Sequence, residues 1–163
     1  MHPLVEEAAK KAAVAWLGFG DGPAYAVWCM PLDGKLYIVT GPGEQDVPGL
    51  VDAVEAGLPA RLTLRGDHGG SIVTFTAEPR GLHGNDTEWE TVAPQLAGKR
   101  LNAIGTTDEV VARWAAECMI VAITPVAPLA ELDATTAAAP PRPTPATRET
   151  RRPFRLHRVR GAR

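Results

Sequence analysis

Apolar residues in this chain fall in short runs separated by glycine, proline and aspartate, and the spacing inside each run predicts its element. Over residues 6–17 alanine is dense, and Leu4, Ala8, Ala12, Ala15 and Trp16 share a face at helical spacing. This predicts a helix, stopped by Gly18, Gly20, Gly22 and Pro23. Residues 24–31 form an apolar run with Tyr25, Val27 and Trp28 and read as a strand. Asp33-Gly34 is a hairpin turn, residues 35–40 are the returning strand, and Gly41-Pro42-Gly43 breaks it. Asp46 is placed to cap a helix starting at Val47, whose apolar positions Val47, Leu50, Val51 and Val54 repeat up to Gly57. Residues 60–65 and 71–81 read as two strands joined by a loop over 66–70. Asn85 with Glu88, and Thr106 with Glu109, have capping-box spacing. They predict helices from about Asp86, interrupted near Pro94, and from about Thr107. Residues 119–124 are a last strand, closed by Pro125. Hairpins dominate this order, so the sheet is expected to be mainly antiparallel.

The pattern changes after Leu132. Residues 1–132 form one domain, 133–146 an Ala/Pro-rich linker, and 147–163 a basic tail. In the tail Arg148, Arg151, Arg152, Arg155, Arg158, Arg160 and Arg163 face only Glu149, with Phe154, Leu156 and Val159 interleaved. Nucleic acid or lipid phosphate is one partner for such a segment, and an acidic protein surface is the other. The formal net charge of -2 over 163 residues weighs against nucleic-acid or membrane attraction for the whole molecule. Two cysteines, Cys29 and Cys118, in apolar runs read as reduced thiols. With no apolar run of membrane-spanning length and an acidic N-terminus, the cytoplasm is the expected location.

Few motifs carry chemistry. His2, His68, His83 and His157 are scattered without metal-ligand spacing, so no metal site is expected. Ser71, the one serine, lacks a nucleophile-elbow context, and Arg65-Gly66-Asp67 reads as a hairpin turn. The segment 36–46 runs from a strand through a Gly-rich turn towards a helix and half-resembles a dinucleotide fingerprint, with Asp67 near the ribose-binding position. Asp46 replaces the third glycine, however, and the repeated βα units are missing, so a capped strand-to-helix turn is the better reading.

The hairpin 26–41, the helix through Leu50, the strands 60–65 and 71–81, and the closing segment Lys99-Arg100-Leu101-Asn102, Trp114 and 120–125 together set an order of elements. That order resembles the pyridoxamine-5'-phosphate-oxidase-like split barrels that bind flavin or the deazaflavin F420. The resemblance implies an α+β fold, a six-stranded, mainly antiparallel split β-barrel with flanking helices. It implies a homodimer, FMN or F420 as cofactor, and a hydride-transferring oxidoreductase without a nameable acid or base. Carried onto this chain, Trp28 and Met30 would approach the ring, and Val39, Thr40 and Gly41 would contact it. Gly43 and Gln45 would face the phosphate, and Arg61 and Arg65 would be the nearest cations. Where such proteins carry Lys or Arg at the helix start, this chain reads Glu44-Gln45-Asp46-Val47-Pro48. Two carboxylates there would repel a phosphate. Either Arg61, Arg65 or tail arginines supply the charge, or the chain is a non-catalytic split-barrel dimer without a cofactor.

Overall fold

In the computed structural model of this chain, residues 3–12, 14–65 and 71–128 are described; the 66–70 loop, the linker and the tail lie outside them. The element order is α1 (Pro3–Lys11), β1 (Val14–Phe19), β2 (Tyr25–Trp28), β3 (Met30–Leu32), β4 (Lys35–Thr40), α2 (Leu50–Glu55), β5 (Ala60–Arg65), β6 (Ser71–Leu82), α3 (Thr87–Lys99), α4 (Thr107–Glu117) and β7 (Met119–Pro128). The strands form one seven-stranded sheet in the order β2-β1-β5-β6-β7-β4-β3. Every ladder in it is antiparallel, which removes the dinucleotide-fold alternative. The two edges, β2 and β3, are consecutive in the chain across Cys29, so the sheet curls into a nearly closed barrel.

Alternation along the strands builds two cores. Ala15, Leu17, Leu36, Ile38, Leu62, Leu64, Phe75, Val121 and Ile123 fill the barrel. Tyr37, Val39, Ile120 and Ala122 point the other way and are covered by α3 and α4 through Trp89, Val92, Leu96, Val110 and Trp114. β4 is therefore buried on both faces, which explains its unbroken apolar sequence.

Five expectations are corrected. The helix predicted over 6–17 ends at Lys11, and its second half is β1. Alanine propensity misled there; buried positions alternate with more exposed ones from Val14 to Leu17, and tertiary pairing on both sides overrides propensity. The strand predicted over 24–31 breaks at Cys29 into β2 and β3; with β1 added, the five runs read as strands become seven, where the resemblance implied six. Helix α2 starts at Leu50 behind Gly49, whose φ is 77°, and Asp46 caps nothing. Helix α3 runs through Pro94, and both Pro94 and Glu90, one turn before it, lie on the exposed face of the helix. Asp86, not Asn85, is its N-cap and makes no side-chain cap bond to the helix.

The capping box at Thr106 and Glu109 is present in full. β7 continues past Pro125 to Pro128. Cys29 and Cys118 are unbridged. No helix among the described residues is long and apolar enough to cross a membrane.

Candidate functional site: two grooves beside a glycine-rich turn

The turn after β4 is fixed from within. Gly41 has a φ of 134°, and a Cβ there would lie 2.9 Å from the Cα of Cys118 and 3.0 Å from the Glu117 carbonyl. The glycine is required because the end of α4 packs against it. Gly43, with φ 76°, lies beside Arg113, whose Nη1 donates to the Pro42 carbonyl at 2.9 Å.

Glu44 does not face outward. Its side chain is 3% exposed, and Oε1 accepts from Arg113 Nη2 at 2.6 Å and from Trp114 Nε1 at 2.8 Å. Oε2 lies 2.9 Å from Arg100 Nη2, as an ion pair rather than a directed hydrogen bond. The expectation that Glu44 would repel a phosphate is thus corrected, since two arginines neutralise it. Their pairing spans the chain from the turn to α4, and no local sequence signal marks it. Asp46 is exposed.

Gln45 closes the split in the barrel. Its Oε1 accepts from the Trp28 amide at 2.7 Å, and its Nε2 donates to the Trp28 carbonyl at 2.9 Å. The side-chain amide acts as a short strand at the point where β2 gives way to β3. Thr40 Oγ1 donates to the Gln45 carbonyl at 2.9 Å, so Thr40, Gln45 and Trp28 form one chain of contacts. Thr40 is buried, and Val39 is packed beneath the α3–α4 layer.

The expected site residues divide between two cavities and a third surface. Trp28 and Met30 line a hollow of about 470 Å³ between the end of α1, the β2–β3 break and the end of α3. Lys10, Lys11 and Lys99 stand on its rim. Lys10 is paired with Glu6 and Glu7, whereas Lys11 and Lys99 have no side-chain partner among the described residues. Arg100 lies over the Trp28 ring at 5.9 Å from its centroid. Cys29, in the same wall, is desolvated, which pushes its thiol up to about 12, so it is a poor nucleophile at neutral pH. Thr40 and Gly41 line a second groove, of about 680 Å³, with Val47, Val51, Met119 and the acids Asp46 and Glu117. Arg61 and Arg65 project from the outer face of β5, where Arg65 lies 5.0 Å over Trp16; neither lines these cavities.

A further polar cluster ties the β3–β4 hairpin to α3. Glu88 accepts from Lys35 Nζ at 2.7 Å and Tyr37 OH at 2.6 Å, and Arg80 completes the group. Burial raises the Glu88 carboxyl, but Lys35, Tyr37 and Arg80 outweigh it and hold the group below its usual range. Burial and the bond to Glu88 push the Tyr37 hydroxyl well above its usual value.

No protein-family model and no curated protein matches this chain. Solved structures do. The heme storage protein HutZ from Vibrio cholerae aligns with a TM-score of 0.55 at 13% identity, over 77% of this chain and 90% of its own. A candidate pyridoxamine 5'-phosphate oxidase from Listeria innocua aligns with a TM-score of 0.53 at 13% identity, over 77% and 93%. A candidate 5-nitroimidazole antibiotic resistance protein from Bacteroides thetaiotaomicron aligns at 0.52 and 11% identity, over 78% and 81%. Together with the strand order, these alignments establish that the chain has the pyridoxamine-5'-phosphate-oxidase-like split-barrel fold.

Proposed function

We propose that this chain is a flavin-class oxidoreductase that holds FMN or F420 in the hollow beside Trp28, as a homodimer. The observation that carries this reading is the pairing of an apolar floor, Trp28 and Met30, with two lysines that have no other side-chain partner among the described residues. A planar ring with an anionic side chain asks for both. The volume lies within the usual range of small-molecule sites, roughly 300–1,000 Å³. Bound flavin would supply hydride transfer, and the protein supplies binding and orientation.

In this reading Trp28 and Met30 pack on the ring, and Lys11 and Lys99 bind the anionic end. Thr40 and Gln45 are positioning residues, acting through the two bonds that fix the Trp28 backbone. Leu101 and Ile104, 95% and 94% exposed, offer an apolar surface next to the hollow for the second copy to cover.

A second reading, a binding or structural dimer without turnover, draws on a separate observation. The arginines nearest the Gly-rich turn, Arg100 and Arg113, are already engaged by Glu44. The fold shared with a heme storage protein adds heme, also planar and anionic, as a rival ligand.

Titration with FMN, F420 and hemin in turn, followed by ligand absorbance and tryptophan emission, separates these readings. The oxidoreductase reading expects saturable micromolar binding of FMN or F420 that weakens in Trp28→Ala. Binding of hemin alone would replace flavin by heme, and no binding of any of the three would leave the non-catalytic reading.

A further inference from the structure

The acidic groove and the basic tail have no part in the cofactor reading, and each supplies what the other lacks. Residues 1–128 carry nine lysines and arginines against sixteen aspartates and glutamates; residues 129–163 carry eight against three. The groove over Thr40 has an apolar floor of Val47, Val51 and Met119, and Val51 is 42% exposed. Its acids, Asp46 and Glu117, have no ion-pair partner among the described residues. Glu117 ends α4, which has no basic residue in its last turn. The end of a helix carries partial negative charge, so a carboxylate there calls for a cation from elsewhere.

We propose that residues 147–163 of this chain dock in that groove in cis. Phe154 and Leu156 cover Val51 and Met119, while the neighbouring arginines pair with Asp46, Glu117 and the carbonyl end of α4. Alternation of apolar and basic residues in the tail matches an apolar floor with an acidic rim, and would be wasted on a purely electrostatic arm. The lysine-rimmed hollow at Trp28 repels the same segment. Reach is sufficient. β7 starts beside the groove at Met119 and ends at Pro128, about 30 Å away at strand rise. Residues 129–146, extended, span up to roughly 60 Å, enough to return along β7. This inference does not depend on any cofactor.

Disulfide trapping in the full-length chain tests it, because Cys118 lines the groove and Cys29 is buried. Phe154→Cys and Leu156→Cys should each cross-link to Cys118 within one chain under mild oxidation, faster than Ala139→Cys in the linker. Adding Asp46→Lys and Glu117→Lys should slow the cross-link by about tenfold, the loss of roughly 1.4 kcal/mol of attraction. A tail cysteine that bonds to Cys118 no faster than Ala139→Cys overturns the proposal. Cross-links found only between two chains also overturn it, and give the groove to the tail of a second copy. Trypsin cleavage after Arg155 and Arg158 is a check without added cysteines. It should be slow in the native sequence and fast in the Asp46→Lys, Glu117→Lys variant, and equal rates contradict docking.

Discussion

The hollow beside Trp28 and the groove beside Thr40 lie at the ends of two consecutive helices and differ in charge. α3 ends in Lys99, and Arg100 follows it; α4 ends in Glu117. Cations at a helix C-terminus satisfy its partial charge, and a carboxylate aggravates it. The first end is thus electrostatically complete, with Lys11 and Lys99 left over for an outside anion; the second has only Arg113, which Glu44 already engages. The Gly-rich turn that resembles a phosphate loop borders the wrong one of the two for a phosphate. Glycines at 41 and 43 serve the packing of α4 and Arg113 against the turn, and the anion those residues receive is the chain's own Glu44. A glycine-rich strand-to-helix turn therefore says that something approaches the backbone closely, not what approaches it.

Glu44 joins the two regions, since Arg100 flanks the hollow and Arg113 flanks the groove. Removing it gives the largest effect expected here. Glu44→Ala leaves two arginines facing each other across a buried space and should cost about 3 kcal/mol. That is the low end for a broken buried pair, because both arginines stay partly exposed. Urea unfolding measures it; a loss below about 1 kcal/mol would show that the two regions are held independently. Glu44→Gln keeps the shape and should recover part of the loss.

Gly41→Ala should act on the groove side alone. A Cβ at φ 134° meets the Cys118 backbone, so a cost of about 2 kcal/mol is expected in the same unfolding experiment. Ligand affinity of the hollow should stay within about twofold of the parent, a difference under 0.5 kcal/mol.

The Glu88 cluster lies outside both regions and serves as a control of smaller size. Tyr37→Phe removes one hydrogen bond to a carboxylate and should cost about 1 kcal/mol. Tyr37 ionises at higher pH folded than unfolded. Its contribution is complete below its usual value of 10.0 and is lost as pH rises towards the folded value. Glu88 works in the opposite direction: its contribution is present above its usual 4.5 and is lost as pH falls through the lowered folded value. Denaturant midpoints recorded against pH should fall at both ends, and Tyr37→Phe should flatten the alkaline limb.

Much of the fold was legible in the sequence. Asp33-Gly34, the returning strand, the capping box at Thr106 and the run 119–124 are local signals, and they appear where local rules put them. The misplaced pieces depended on partners far along the chain. β1 reads as a helix because alanine is tolerant of both states, and pairing with β2 and β5 decides the matter. Of the site, Trp28 and Met30 line one hollow, while Asp46, read as a helix cap, is exposed and caps nothing. Glu44 was not, because Arg100 and Arg113 reach it only after the helices fold over β4. Lys11 and Lys99 gave no signal either; they converge on the hollow from the ends of α1 and α3, far apart in the chain.

The central claim is that the anion-binding region is the hollow and not the Gly-turn groove. The most direct measurement is the FMN dissociation constant of the Lys11→Glu, Lys99→Glu variant beside that of Asp46→Lys, Glu117→Lys. The account predicts that the first pair weakens binding by about a hundredfold, two charge-assisted contacts at roughly 1.4 kcal/mol each, while the second changes it by less than about threefold. Unchanged affinity in the lysine variant, or a large gain in the groove variant, would contradict it.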